Sequence, residues 1–260
     1  MADANGSLDV NIKSILGTKT YSANKALIET VFKQKSNFYN GNSIDVAKVL
    51  KTLKDNRIIN LSLKSSQEVT LRFSTSGSPL FVVKILSDTL RNVGYYKYMT
   101  KESHMDGSEF VWSIAYNGDS VIDPVVLSEE LSKAGCKIAD VQIESPTIWN
   151  YEIDTKKAQL DVEKLDADGT INLERITNEK WLDISNVSKL DINSNHANSW
   201  YPYLSFYDHN LQLLKVEKVD RKTLELNVDI PLDGVYMKIS DIYTLNNIKN
   251  GLSIEARASR

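Results

Sequence analysis

The sequence predicts a mixed α and β protein with an α+β N-terminal module of helix–strand–strand units, followed by an all-β sandwich or jelly-roll module. Up to about residue 154, apolar residues recur at helical spacing in several segments, and strand-like runs follow each helix. From about residue 170 the apolar period changes to two, and strong helix signals disappear. A content of 42% hydrophobic and 25% charged residues is sufficient for a packed core.

The N-terminal module is defined by its helix starts. One helix is predicted to begin at Ser22 and another near Ser43, and two more begin where a capping residue precedes proline, at Ser78 and Asp123. The helices from Ser43, Ser78 and Asp123 are each followed by two predicted strands. The first pair, RIINLSL and EVTLRFS, is separated by a predicted turn at Lys64–Gln67, and the second pair is joined by an Asp-Gly hairpin at Gly107. This order indicates helices packed on one face of an antiparallel sheet. The repetition has two possible origins: internal duplication, or the fact that such layers are commonly built in this order.

These patterns set the predicted boundaries. Residues 1–20 are predicted to be a flexible N-terminus, 21–154 the α+β module, 155–169 a charged linker and 170–260 the sandwich. The eight strand candidates of the sandwich are INLERIT, KWLDIS, VSKLDINS, YPYLSFYD, QLLKVEKV, TLELNVDI, VYMKISDI and LSIEAR. Short strands separated by turns in this way are typical of sandwiches and jelly rolls.

Charge and cysteine content exclude some classes of function. A formal net charge of −3 provides no overall basic surface for a phosphate backbone, so nucleic acid is not an expected partner. The single cysteine, Cys136, excludes an internal disulfide and a multi-cysteine metal site, and its apolar surroundings predict a buried side chain. No stretch approaches the roughly 20 apolar residues of a membrane span.

The first residues, MADANGSLDV, predict the compartment. They have no basic and apolar signal region, but the small polar residues after Met1 are typical of a mature N-terminus from which a signal peptide has been removed. We therefore expect an exported, periplasmic protein, with Met1 as an addition for expression. The alternative is a cytoplasmic protein with a natural start.

Three segments of the last third, WLDISNVSKLDI, WYPYLSFYDHNLQLL and LNVDIPLDGVYMKISDI, follow one another in a characteristic order of strands and turns. In that order they resemble the galactose-binding-like β-sandwich used in many carbohydrate-binding modules. The resemblance covers roughly ninety of the 260 residues, and the N-terminal two thirds resembles no family. It implies a glycan site at the loop ends and, in many members, a structural calcium ion.

The loop NSNHANSWYPY contains the candidate glycan-binding residues. Aromatic rings can stack on the C–H faces of sugars, while neighbouring amide and imidazole groups bind hydroxyls. The alternative is that Trp200 or Tyr203 fills the sandwich core while Tyr201 points outward. The candidates are Trp200, Tyr201, Tyr203, Asn195, His196 and Asn198.

Asp191, Asn193 and Asn195 have the D-x-N-x-N spacing of oxygen ligands in a calcium loop, and calcium is the one cofactor that the sequence suggests. The glycine and the terminal glutamate of a full loop are missing, so an asparagine-rich turn is the alternative.

No residue is predicted to be catalytic. The sequence has no phosphate-binding glycine loop, no nucleophile elbow and no H-E-x-x-H zinc motif, and the paired carboxylates Glu129 and Glu130 are predicted to lie on a solvated helix face. The preferred interpretation is a non-enzymatic binding or assembly protein of the bacterial cell envelope, in which the α+β module docks to a protein partner and the sandwich contacts a protein or a glycan. The alternatives are a carbohydrate-binding module protein and an envelope glycan hydrolase with acidic catalytic residues.

Overall fold

The computed structural model describes residues 4–257 of the chain and the side chains of residues 8–257. Within this range the protein combines α-helices with a larger share of β-sheet, so the predicted mixed α and β class is confirmed. The chain divides into two compact units, Met1–Gln159 and Leu160–Arg260. Each unit has its own sheets and is described separately.

The first unit contains five α-helices in the described residues, with a short 3-10 helix at Lys35–Phe38. The helices are α1 (Ala4–Ala23), α2 (Lys25–Val31), α3 (Val46–Asp55), α4 (Pro79–Asn92) and α5 (Pro124–Lys133). The strands are β1 (Tyr39–Asn40), β2 (Ser43–Ile44), β3 (Ser62–Thr75), β4 (Met99–Asp106), β5 (Glu109–Ser120), β6 (Lys137–Ser145) and β7 (Ile148–Asp154).

The first unit is organised around β3, which lies in the middle of a five-stranded sheet of order β4-β5-β3-β7-β6. β3 is antiparallel to β5 and parallel to β7, so one hairpin lies on each side of it. Buried aromatic rings cross one face of this sheet: Phe73 of β3 stacks with Trp112 of β5 and with Tyr151 of β7, and Tyr151 stacks with Trp149. This row of rings forms a large part of the core of the first unit.

The N-terminal segment differs from the prediction. The flexible segment expected over residues 1–20 is largely helical, because α1 covers Ala4–Ala23, while residues 1–3 lie outside the described residues. Leu8, Ile12 and Ile15 are all fully buried. Their spacing of four and three residues places them on one face of a helix, and burial of that face against the sheet stabilises a segment whose own helix propensity is weak.

The first predicted helix–strand–strand unit also differs from the prediction, because its two expected strands form one continuous strand. RIINLSL and EVTLRFS were expected to be separate, but the single strand β3 runs through Lys64 and Gln67. The register against β5 shifts between Ser62 and Gln67, so a bulge takes up the polar residues that resemble a turn. Helix–strand–strand order is therefore found twice, after α4 and after α5, and the Asp106–Gly107 hairpin between β4 and β5 is confirmed.

The second unit is built almost entirely of strands, and every run predicted as a strand after residue 170 contains one. The strands are β8 (Glu163–Lys164), β9 (Thr170–Leu173), β10 (Lys180–Asp183), β11 (Lys189–Ser194), β12 (Pro202–Tyr207), β13 (Leu213–Lys218), β14 (Glu225–Asp229), β15 (Tyr236–Asp241) and β16 (Leu252–Arg257). A 3-10 helix, Leu245–Ile248, precedes β16.

These strands form a five-stranded sheet of order β13-β12-β15-β10-β8 and a four-stranded sheet of order β14-β11-β16-β9. Residues of both sheets share one buried core, with Leu204 and Ile239 from the first sheet and Ile192 and Ile254 from the second. The two sheets of the second unit therefore pack their apolar side chains into a single core.

The segment 155–169, expected to be a linker, is tied into both units. The Gln159 N–H donates to the Ala134 carbonyl (3.0 Å) within the first unit, and the Leu160 N–H donates to the Tyr236 hydroxyl (3.1 Å) within the second. Strand β8 then pairs in parallel with β10, and Leu165 is buried. The apolar residues Leu160 and Leu165 anchor this segment, although its many charged residues predicted an exposed linker.

Candidate functional site

Three loops of the second unit meet at one end of its sheets, and together they are named the loop cluster: residues 195–201, 219–224 and 242–251. The Thr223 N–H donates to the Trp200 carbonyl (2.9 Å), the Ser199 N–H to the Asn247 carbonyl (3.0 Å), and the Ile242 N–H to the Tyr201 carbonyl (3.0 Å). These backbone bonds fix the loops to one another. The loop cluster contains most of the residues that the sequence predicted to bind a glycan.

The three predicted aromatic residues are separated from one another. Trp200 is 0% exposed, lies in the core shared by the two sheets of the second unit, and donates through Nε1 to the Ser240 carbonyl (3.2 Å). Tyr203 alternates on β12 with the buried Leu204, so it lies on the outer face of the five-stranded sheet. Tyr201 is half-buried within the loop cluster. This distribution matches the alternative in which Trp200 fills the core and Tyr201 points outward. Trp200 could stack on a sugar only if its ring left the core.

Tyr201 has an aromatic partner that the sequence did not suggest. Its ring meets the ring of Tyr243 edge to face, with centroids 5.0 Å apart and an interplanar angle of 88°. The side chain of Tyr243 is 63% exposed, and its hydroxyl donates to Asp220 Oδ1 (2.6 Å). The hydrogen bond to this carboxylate raises the pKa of Tyr243, so the phenol stays protonated at neutral pH. The pair therefore offers one exposed ring, held by its contact with the Tyr201 ring and by the hydrogen bond of its hydroxyl.

The carboxylate of Asp241 fixes the position of these two rings. Its Oδ2 accepts from the Tyr201 N–H (2.7 Å). Its Oδ1 accepts from the backbone N–H groups of Tyr243 (2.8 Å) and Thr244 (2.9 Å) and from Asn247 Nδ2 (3.0 Å). Because four donors converge on one buried carboxylate, Asp241 has a structural role in the loop cluster.

The polar candidate residues differ in how many of their hydrogen-bonding groups are already occupied within the protein. Asn198 is buried and fully occupied: its Nδ2 donates to Ser194 Oγ (3.2 Å) and to the Gly251 carbonyl (2.8 Å), and its Oδ1 accepts from the Asn250 N–H (3.1 Å). Asn195 accepts from the Ala197 N–H (2.9 Å) in a local turn, and its side chain remains exposed. His196 is exposed as well. Asn195 and His196 are thus the candidates that can still reach a ligand.

A groove of about 300 Å³ beside the loop cluster brings two predicted residues together. Asn193 and Asn195 both line it, and their amides can donate to and accept from hydroxyl groups. Seven of the ten residues that line it have polar side chains, so the groove offers hydrogen-bonding groups to a hydroxylated ligand. Further polar side chains in its wall are Asn172, Glu174, Asn250 and Ser253.

The predicted calcium ligands are not arranged as a calcium loop. Asp191 and Asn193 lie on the extended strand β11, where residues two apart are separated by about 6–7 Å along the strand. The Asp191 carboxylate forms an ion pair with Arg257. Among the described residues, no group of three or more His, Cys, Asp or Glu side chains could hold a metal ion. The calcium prediction therefore gains no support from this conformation.

Cys136, Glu130 and the pair Asp140 and Glu152 are the side chains whose chemistry catalysis could use. Burial raises the pKa of the Cys136 thiol to about 11, so it is not a thiolate at neutral pH. A hydrogen bond from Lys133 lowers the pKa of Glu130, which also accepts from Asn92 Nδ2 (2.6 Å). Asp140 and Glu152 pair across β6 and β7, beside a depression of only about 140 Å³. That volume is below the roughly 300 Å³ at which ligand pockets begin.

No protein-family model matches this chain, and no curated protein matches its sequence. The resemblance of the last third to galactose-binding-like sandwiches consequently stays a prediction. None of the helices within residues 4–257 combines the length and the apolar character needed to cross a membrane.

Proposed function

We propose that the protein is a non-enzymatic binding or assembly protein of the bacterial cell envelope. The proposal equates the two compact units with two modules: the first docks to an envelope protein, and the second, a galactose-binding-like sandwich, contacts a protein or a glycan. Localisation in the periplasm, or export by another route, is part of this proposal, with a cytoplasmic protein as the alternative. The absence of a catalytic sequence motif favours binding over catalysis.

The docking proposal rests on a difference between the two edges of the sheet in the first unit. At one edge, α1 packs against β6, and Asn11 Nδ2 donates to Asp140 Oδ1 (3.2 Å). At the other edge, all eight residues of β4 are exposed. An uncovered edge presents backbone N–H and C=O groups with which another extended chain can pair. Met99 and Met105, near the ends of β4, add exposed apolar surface that adapts to different partners.

The charges on β4 do not oppose such pairing. Lys101 Nζ lies 3.1 Å from Glu68 Oε1, and Arg72 Nη1 lies 3.4 Å from Glu102 Oε2. Both pairs bridge β4 to β3 across β5. Because the charges are compensated within the unit, an incoming strand of either sign meets little repulsion at this edge.

A crosslinking experiment tests β4 as the docking edge. A photo-crosslinking phenylalanine derivative is introduced in place of Ser103 on β4, in the full chain expressed in its native envelope. We expect a discrete covalent adduct with one protein, because a paired partner strand lies within about 5 Å of the edge. The measurement is the mass and identity of the adduct after denaturing electrophoresis.

The matched control places the same group at Gln142, an exposed residue of β6 on the opposite edge of the same sheet. The proposal requires the adduct to form from Ser103 and to be absent from Gln142. Equal adducts at both positions, or none at Ser103 in intact cells, would contradict docking at β4.

The alternative function, a carbohydrate-binding module protein, is favoured by the exposed Tyr243 ring beside Tyr201 and by the amide-lined groove with Asn193 and Asn195. A sugar could stack on the ring while the amides bind hydroxyls. The nearest feature to an active site of a glycan hydrolase is the Asp140–Glu152 pair, whose depression is smaller than a sugar site requires.

Tyr243→Ala separates glycan binding from protein docking. If the loop cluster binds a glycan, the variant should be retained about 3–10-fold less on purified cell-wall glycan, since one stacked ring contributes about 0.5–1.5 kcal/mol. The melting temperature should stay close to that of the parent, because the ring is mostly exposed. Tyr96→Ala, at an equally exposed tyrosine of the first unit, is the control and should leave retention unchanged. Unaltered retention of Tyr243→Ala would remove the glycan alternative at this site.

A further inference from the structure

The groove of about 300 Å³ beside the loop cluster lies where two strands of the four-stranded sheet end and a third begins. Strands β9 and β11 end at Leu173 and Ser194, and β16, which lies between them in the sheet, begins at Leu252. The loop cluster contributes Asn195, Asn250 and Gly251 to the wall. The groove is therefore built entirely by the second unit.

A row of polar side chains crosses these three strands beside the groove. Asn193 of β11 lies opposite Ser253 of β16, and Ser253 lies opposite Asn172 of β9. Their chain neighbours Ile192 and Ile254 belong to the core, so the row faces outward from the sheet. Because adjacent strands are about 4.8 Å apart, the two amides are attached about 10 Å apart with the hydroxyl between them.

The polar groups of this row are not used by the protein itself. Among residues 8–257, the side chains of Asn172, Asn193 and Ser253 form no hydrogen bond with another group. Asn193 and Ser253 are also half-buried, so they are partly withdrawn from water. By contrast, the nearby amide of Asn198 is occupied on both its donor and its acceptor side. The row is thus free to bind a ligand that both donates and accepts hydrogen bonds.

Gly251 holds the wall of the groove in a fixed shape. Its φ is 97°, and a Cβ at this position would collide with the Leu173 carbonyl oxygen. Its own carbonyl accepts from Asn198 Nδ2 (2.8 Å) and from the Asn195 N–H (3.3 Å). The loop cluster and the end of β9 are therefore held together before a ligand arrives, which lowers the entropic cost of binding.

The side chains of the wall indicate which class of sugar the groove selects. Each asparagine amide carries a donor and an acceptor, so it can pair with the N–H and C=O of an acetamido group. Leu173 and Leu252 add carbon surface on which the acetamido methyl group can pack. Among the ten lining residues, Glu174 is the only one with an ionisable side chain, so no basic group attracts an acidic sugar.

We propose that this groove binds an uncharged glycan that carries N-acetyl groups. The acetamido N–H and C=O pair with an amide of the row, the methyl group packs on Leu173, and ring hydroxyls bind the remaining polar groups. Glycan binding by the second unit is the function on which this proposal rests, and the sugar class is what it adds. Docking at β4 is independent of it.

The test compares three trisaccharides with the same backbone and linkage: tri-N-acetylchitotriose, cellotriose and chitotriose. At the same ring carbon they carry an acetamido, a hydroxyl and an amino group. The full chain is labelled with 15N, and the backbone signal of Gly251 and the side-chain amide signals of Asn172 and Asn193 are followed by NMR. We expect the acetylated trimer to move these signals and to bind about tenfold more tightly than either other trimer, because both lack the paired hydrogen bonds of the acetamido group.

Two variants each remove one amide of the row. Asn193→Ala and Asn172→Ala should weaken the acetylated trimer about twofold to tenfold, as expected for loss of one or two hydrogen bonds, and should reduce its advantage over cellotriose. Asn227→Ala is the matched control, because Asn227 is an exposed asparagine on β14 of the same sheet and lies outside the groove wall. It should leave all three affinities unchanged. Should Asn193→Ala fold poorly, the exposed position Asn172 still provides the test.

Equal affinity for the acetylated trimer and cellotriose would overturn the N-acetyl assignment and leave glycan binding by the second unit intact. If no trimer at millimolar concentration moves the signals of the groove, the groove is not a glycan site, and docking at β4 is still decided by the crosslink from Ser103. Affinities that are unchanged in both Asn193→Ala and Asn172→Ala would also contradict the proposal, because the ligand would then bind elsewhere.

Discussion

Replacement of Trp200 with alanine is expected to lower the free energy of unfolding of the second unit by about 3–5 kcal/mol. The side chain is fully buried among core residues of both sheets, so its removal leaves a large cavity. The Ser240 carbonyl would also lose its indole donor. Hydrogen exchange followed by mass spectrometry measures this loss, because peptides of the two units report on each unit separately.

Tyr201→Ala is the matched control for Trp200→Ala. The two residues are adjacent in the chain, but Tyr201 is half-buried and its ring contacts the exposed ring of Tyr243. Its replacement should cost only about 1 kcal/mol. Near-equal losses from the two variants, or a stable Trp200→Ala that no longer binds glycan, would show that Trp200 is a ligand-binding residue and not a core residue.

The sequence predicted the strands of the second unit well because their patterning is local. On β12 and β15, apolar residues alternate with polar ones, and turn residues mark where the strands end. The same alternation explains why residues adjacent in the loop NSNHANSWYPY are separated in space. Trp200 points into the core while Tyr203 lies on the outer face, so proximity in the chain did not imply a shared site.

The predictions for the N-terminal region failed where tertiary contacts determine local structure. The segment before Ser22 contains Gly6, Gly17 and several Ser, Thr and Asn residues, whose low helix propensity indicated a flexible chain. The four polar residues Lys64–Gln67 were interpreted as a turn, although pairing with β5 accommodates them as a bulge in β3. In both places the neighbouring strands supply the stabilisation, and their position is not encoded in the local sequence.

The candidate functional surfaces were the least predictable part of the molecule. Tyr243 meets Tyr201 and Asp220 from distant parts of the chain, and Asp241 receives its donors from two different loops. A single sequence carries no pairing information over such separations, so only the fold reveals these groupings.

Ile12→Ala is expected to destabilise the first unit by about 2–5 kcal/mol. Ile12 is fully buried, and α1 packs against β6. A flexible N-terminus, as the composition suggested, would make the substitution nearly neutral. Chemical denaturation followed by hydrogen exchange in peptides of β6 measures the loss, and protection of the β6 amides should fall more than protection of those in β5.

Lys13→Ala provides the control, because Lys13 is the next residue on the same helix and is exposed. It should change stability by less than about 0.5 kcal/mol, as is usual for surface positions. If Ile12→Ala behaves like Lys13→Ala, then α1 is not a structural cover and β6 is as open to partners as β4. If the two differ as expected, the sheet of the first unit has one covered edge, and β4 is the edge at which a second chain can be added.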